Sequence, residues 1–328
     1  MDSEPLPPDP MHKPGMTTTI KATTTTDMLS LVPYLLGYHV DDDVVILLLS
    51  RHTVEVAMRM DYWMFDAPAM VNAQLTEMMG RYESAKVFFI AYSQDRDKAE
   101  EVLGKLETFV EPGQVVDSVR TDGVRWWSRL CVGDCCPAEG HPCDPSSPAV
   151  AAAVVAGSTA LASRKDLMTL VEGPSLVDQG CLLADLVGVE ERIARRTPRA
   201  RVQRTKRLLA DHLGEEDVDD AVCMELGLLA KGIPARDAAW LEMSRAGAKH
   251  HLRLWQQVVR VMPPDRHAVP ALCLMAAAAW LDGNGALMGC CLARVEGLDA
   301  DYGMFQLLRR VHHSAAPPEL WADIRDAV

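Results

Sequence analysis

Six consecutive apolar residues, Val44 to Leu49, have the pattern of a strand covered on both faces. Thr53 to Met60 alternates instead, which predicts a half-buried strand. Ser50-Arg51-His52 between them is too short for a crossover, so the two are expected to form an antiparallel hairpin. Helical spacing follows from about Ala67 to Tyr82, then a third strand of the buried type, Lys86 to Tyr92. A second helix over Asp95 to Val110, with apolar positions at Val102, Leu106, Phe109 and Val110, leads to a fourth strand at Val115 to Arg120. Thr121-Asp122-Gly123 carries the Asp-Gly signal of a tight hairpin and returns the chain as Val124 to Leu130. Upstream, Asp27 to Gly37 is spaced for a short helix that stops at its glycine.

From Ala149 onward strand signals give way to helical ones, broken at Gly173-Pro174, Gly232-Ile233-Pro234, Pro263-Pro264, Gly283-Asn284-Gly285 and Pro317-Pro318. The expected class is α/β plus all-α: an N-terminal mixed sheet of about five strands with crossover helices, then a larger bundle of short antiparallel helices. The implied division is a disordered tail over 1–16, an α/β domain over 17–130, a Cys/Pro-rich linker over 131–148 and a helical domain over 149–328. Small and apolar residues from Leu272 to Val295 approximate one tetratricopeptide helix pair, and a generic helical hairpin explains them more simply.

The residues of several separate segments share a resemblance. Asp27-Met-Leu-Ser-Leu-Val-Pro-Tyr-Leu-Leu-Gly-Tyr38, Arg59-Met-Asp61, Ala91-Tyr-Ser93, Arg125-Trp-Trp127, Cys131 with Cys135-Cys136-Pro137, and Gly283-Asn-Gly-Ala286 together resemble the domain of unknown function 4192 family of actinobacteria and their phages. The resemblance spans nearly all of the chain after the tail. It implies no activity, because the family has none assigned. Asp43 stands where that family usually has Ser, and Asn284 where it often has Asp.

Charge and composition narrow the classes of function. A formal net charge of -13 with pI near 5.2 argues against nucleic acid or anionic lipid as partner, since those need clustered Lys and Arg. No apolar stretch reaches the roughly 20 residues that cross a bilayer. No export signal is visible, so a cytoplasmic location is expected, with the nine cysteines as reduced thiols or metal ligands. Phosphate-loop, nucleophile-elbow and zinc-protease motifs do not occur.

Topology suggests a first candidate site. Strands two, three and four are joined so that their carboxyl ends lie along one edge, where open α/β sheets bind ligands. That edge would collect Asp43, Arg59, Asp61, Ser93, Asp122 and Arg125 as a polar pocket. Paired carboxylates beside an arginine can hold a divalent cation or move a proton. The plainer alternative, which the pattern favours, is a solvated turn with a structural Arg59–Asp61 pair.

The second candidate is a zinc site in the linker, with Cys131, Cys135, Cys136, His141 and Cys143 as its possible ligands. The spacing is not that of paired Cys-x-x-Cys knuckles, and simple thiols are the plainer alternative. A third is the basic run of Arg192, Arg195, Arg196, Arg199, Arg201, Arg204, Lys206 and Arg207, which suits an acidic partner or a helix face paired with acids elsewhere. His250-His251 and His312-His313 sit in helical stretches, where neighbours in sequence diverge and do not grip one metal.

Two functional readings follow. The first is a non-catalytic interaction protein whose helical half docks another protein. The second is a small-molecule binder or hydrolase with a pocket at the carboxyl edge of the sheet.

Overall fold

The computed structural model describes residues 20–51, 53–82, 84–131 and 136–326; the tail expected over 1–16 lies outside them. A first helix, α1 (Thr25–Leu36), is closed at its start by a capping box in which Thr24 accepts from the Asp27 amide and Asp27 accepts from the Thr24 amide. Gly37, at φ 81°, ends it as its position predicts.

The sheet segments are β1 (Val44–Ser50), β2 (Thr53–Met60), β3 (Lys86–Tyr92), β4 (Val115–Thr121), β5 (Arg125–Ser128) and β6 (His141–Pro142). Between them run α2 (Pro68–Arg81) and α3 (Arg96–Glu107), the latter capped by the Asp95 carboxylate on the amides of Asp97 and Lys98. The strand order is β2-β1-β3-β4-β5-β6. Because β1 is antiparallel to both β2 and β3, and β3 is parallel to β4, strands β2, β3 and β4 share one direction. Only β3 and β4 are parallel neighbours, however, since β1 is inserted between β2 and β3.

The sixth strand falls within the stretch expected as a linker over 131–148. His141 and Pro142 pair with Trp126 and Arg125, so part of the Cys/Pro-rich stretch extends the sheet. Two residues carry no readable alternation, and Pro142 suits an edge that needs no donor.

Helices follow as α4 (Pro148–Val155), α5 (Arg164–Thr169), α6 (Leu176–Ala194), α7 (Pro198–His212), α8 (Asp220–Ala230), α9 (Ile233–Leu241) and α10 (Ala248–Val261). The chain ends with α11 (Val269–Leu281), α12 (Gly285–Asp299), α13 (Gly303–His313) and α14 (Leu320–Asp326). The α/β plus all-α class holds.

Alternation along the strands separates the two sheet faces. Val44, Ile46, Leu48, Val87, Phe89 and Ala91 pack on Val71 and Leu75 of α2 and on Ala99, Val102, Leu103 and Leu106 of α3. Val45, Leu47, Phe88, Ile90, Val119 and Trp126 face the other way, into one hydrophobic cluster with α1 and the helical half. Every residue of α11 is buried, so this helix is the axis of that cluster. It forms a hairpin with α12, whose start is capped by Asn284 accepting from the Leu287 amide at 3.0 Å. Asn and Asp cap equally well, which accounts for either residue standing there. Sheet and helical half thus share a core, and what lies between them is largely apolar packing interrupted by a gap.

Candidate functional site

The gap is a cleft of ≈ 590 Å³ between β2 and the helical half. Its floor is the whole of β2, Thr53 to Met60, with Leu35, Leu36 and Tyr38 from the end of α1. Opposite stand Trp280, Ala286, Met288 and Gly289 of the α11–α12 hairpin, and Val311 to His313 and Ala315 to Glu319 around the end of α13. Gln74 Nε2 donates to the His313 carbonyl and the Tyr82 hydroxyl to the Ala315 carbonyl, both at 3.4 Å, so α2 is tied to this wall.

Polar groups gather at the end nearest the β2 carboxyl terminus. Arg59 pairs with Val45 across the ladder, and the two-residue period turns its side chain toward the helical half, as it does Ala57 opposite Leu47. Asp43 immediately precedes β1 and is anchored by its carbonyl, which accepts from the Tyr92 amide at 2.8 Å. Arg59 Nη2 donates to Asp43 Oδ1 at 2.5 Å, while Nη1 donates to Asp61 Oδ2 at 2.8 Å and Nη2 also contacts Asp61 Oδ1. Burial opposes charge on Arg59, but its bonds to the two carboxylates outweigh that and hold its pKa above the ordinary range. For Asp43 burial is the larger influence and raises the carboxyl despite the opposing guanidinium. Arg59 Nε is buried without a hydrogen-bond partner.

Two residues absent from the expected pocket complete this end. Tyr38 follows Gly37 and is 2% exposed; its hydroxyl makes no hydrogen bond among the described residues and lines the cleft. Burial first, and the Asp43 carboxylate second, push it up to about 12 against the pull of Arg59 and Arg164. Arg164, the first residue of α5, is delivered by a pair of backbone bonds, His39 N to Leu161 O at 3.0 Å and Leu161 N to Gly37 O at 2.8 Å. Of the arginines lining the cleft, Arg59 is paired with Asp43 and Asp61 and Arg245 with Glu319, whereas Arg164 has no acidic partner among the described residues. No periodicity marks Arg164 in the sequence. Tyr38 closes the apolar-rich string that begins at Asp27, and nothing in that string distinguishes a cleft hydroxyl from a core one.

The other expected pocket residues stand apart. Ser93 donates to Asp42 at 2.9 Å, beside Lys98, whose ammonium meets the same carboxylate at 2.8 Å and lies 3.9 Å over the Tyr62 ring. Asp122 caps the β4–β5 turn by accepting from the amides of Val124 and Arg125 at 2.8 and 2.7 Å. Arg125 itself donates to the Gly140 carbonyl at 2.8 Å and so secures β6. The structure therefore joins Asp43, Arg59 and Asp61 and separates them from Ser93, Asp122 and Arg125. Strand order is the reason for Asp122 and Arg125, since four spacings separate β2 from β5, roughly 19 Å at the usual distance between neighbours; Ser93 follows β3, next to β1, and its hydroxyl is taken by Asp42 instead.

Of the expected zinc ligands, Cys135 lies outside the described residues. Cys131 is disulfide-bonded, which corrects the expectation of a reduced thiol there. His141 stacks on Trp126 with ring centroids 4.4 Å apart, and Cys143 lies 3.7 Å from the Thr121 hydroxyl, its pKa raised by burial. Cys136 is a free thiol. Among the described residues no three His, Cys, Asp or Glu side chains are grouped to hold a metal.

The basic run spans the last turn of α6, the connection at Arg195 and Arg196, and α7. Arg204 grips Glu225 with two bonds at 3.0 and 2.7 Å, Arg196 approaches the same carboxylate at 3.4 Å, and Lys206 pairs with Glu242 at 2.7 Å. Arg201 closes the end of α6 by donating to the carbonyls of Ile193, Ala194 and Arg196. Arg195 pairs with Glu191 at 3.7 Å, and Arg192, Arg199 and Arg207 have no ion pair among the described residues. No helix among the described residues is long and apolar enough to cross a membrane.

Against known proteins, the profile of a family described as Domain of unknown function (DUF4192) matches residues 26–319. The chain belongs to this family. No curated protein and no solved structure matches it. The DUF4192 match runs from the start of α1 to the turn before α14, so it takes in both walls of the cleft.

Proposed function

We propose that this protein binds a small amphiphilic molecule, with an apolar body and one anionic oxygen group, in the cleft between β2 and the helical half. The observation that carries this reading is a group of donors at one end of the cleft: the half-buried Arg164 guanidinium, which makes no ion pair among the described residues, the Tyr38 hydroxyl, which makes no hydrogen bond among them, and Arg59, whose buried Nε has no partner there. Buried polar groups are normally satisfied, and donors left open beside a cavity are groups that a ligand can satisfy. The volume lies within the range of small-molecule sites, and apolar walls with a few convergent polar groups are their usual makeup.

Asp43 and Asp61 hold Arg59 in place rather than accept a cation, because both already bond its guanidinium. An anion is therefore directed to Arg164 and Tyr38. A protein-docking role for the helical surface draws less support: much of the basic run is engaged by Glu225, Glu242 and the end of α6.

Octanoate and octylamine test the charge preference, with thermal unfolding of the whole chain as readout. Octanoate is expected to raise Tm in a concentration-dependent way, octylamine is not, and Arg164→Gln is expected to lose the octanoate response. Equal responses to the two amphiphiles, or an unchanged response in the variant, would refute the reading.

A further inference from the structure

The strand that floors the cleft has a free edge. β2 ends the order β2-β1-β3-β4-β5-β6, and outside its ladder with β1 no backbone N–H or C=O of residues 53–60 is hydrogen-bonded among the described residues. All eight β2 residues line the cleft, including side chains of both faces, so the backbone edge itself borders it. Exposed edges are usually blunted by charge, proline or a covering segment. Here the facing segment, Val311 to Glu319, makes no backbone hydrogen bond to β2 and is tied to α2 instead.

We infer that the cleft takes the carboxyl-terminal end of an extended peptide, added as a parallel strand on β2 with its terminal carboxylate at Arg164 and Tyr38. This rests on the anionic-ligand reading and names the class of ligand. Only a peptide supplies the alternating N–H and C=O groups that a bare strand edge lacks, and strand addition is a recurrent way for sheets to bind peptides. Direction follows from charge. The Arg164 guanidinium, which makes no ion pair among the described residues, lines the cleft with Tyr38 and with Arg59 at the carboxyl end of β2, so a chain running with β2 brings its own carboxylate there. From Glu55 to Arg59 the edge is roughly 13 Å long, enough for about four extended residues. The side chains beside that edge, Val54, Val56, Met58 and Met288, call for apolar side chains on the peptide.

The test uses the full chain labelled with ¹⁵N and four probes: an acetylated pool of random hexapeptides built from Ala, Val, Leu, Met and Phe with a free carboxylate, the same pool as carboxamides, the same pool N-methylated at alternate residues, and octanoate. Amide hydrogen exchange of β2 and chemical shifts around Tyr38 and Arg164 are read together. The free-acid pool is expected to slow exchange of the outward β2 amides at least tenfold. The carboxamide and N-methylated pools are expected to need at least tenfold higher concentration for the same shift, and Arg164→Gln to abolish the preference for acid over amide. If octanoate shifts the Tyr38 and Arg164 signals while no peptide pool protects β2, the strand inference fails and the anionic-ligand reading stands. If the N-methylated pool binds as tightly as its parent, the inference also fails. Should neither octanoate nor any peptide perturb the cleft, both readings fall together.

Discussion

Removing the Arg59 guanidinium tests how the polar end of the cleft is held. In Arg59→Met the stem of the side chain is kept, but Asp43, 7% exposed, becomes a buried carboxylate with no cation bonded to it. Breaking a buried ion pair from one side costs about 3 kcal/mol at the lower end of the usual range, and Asp61, with its side chain 34% exposed, adds little because water reaches it. The cost is that of an uncompensated charge, so it depends on pH. The folded-state pKa of Asp43 is already raised by burial and climbs further once the guanidinium is gone. A group with a raised folded pKa destabilises fully above that pKa and is relieved as pH falls through it. As pH falls toward that raised pKa the carboxylate takes up a proton and the penalty is relieved, so the loss seen at pH 7.5 should be smaller near pH 5. Urea unfolding of wild type, Arg59→Met and the double variant Asp43→Asn/Arg59→Met at both pH values measures this. The double variant should recover part of the loss and show no added pH dependence. A single-variant loss below about 1 kcal/mol, or one that does not change between the two pH values, would refute the reasoning.

Two other perturbations probe the helical half. His251 is 1% exposed, its Nδ1 has no hydrogen-bond partner, and burial lowers its pKa to about 4 from an ordinary 6.5. The unfolded chain takes up a proton first as pH falls, so stability is lost from about pH 6.5 down to about 4. Between pH 7 and pH 5 wild type should lose about 2 kcal/mol more than His251→Leu in urea titrations, and parallel losses would sink the assignment. Asn284→Ala should cost about 1 kcal/mol by uncapping α12, whereas Asn284→Asp should stay within a few tenths of wild type in the same assay.

Much of the fold is legible in the residues. The unbroken run at Val44 to Leu49, the alternation of Thr53 to Met60, the Asp-Gly turn and the Gly37 stop each lie within a dozen residues, and each predicts an element that forms. Their order also shows that β2, β3 and β4 run together, since a helical crossover leaves little choice of direction. Crossovers do not state which strands are neighbours, and it is the neighbours that decide which polar residues meet. With β1 between β2 and β3 and with β5 on the far side of β4, the carboxyl edge is wide, and the six polar residues expected there fall into three separate groups.

In the sequence alone the elements, their direction and most strand faces are legible, although a register shift between Leu48 and Leu49 sends Val54 to the cluster of the helical half while Val56 and Met58 pack on the other face. These are set by backbone periods of 2 and 3.6 residues that act over short range. Tertiary packing alone sets Tyr38, Arg59, Arg164 and His312 around one cleft, and leaves Arg164 with no ion pair among the described residues while Arg204 and Arg59 have theirs. Those residues come from segments far apart in the chain. What brings them together is burial of the shared apolar core around α11, and that burial depends on total packing rather than on any pattern near the residues themselves.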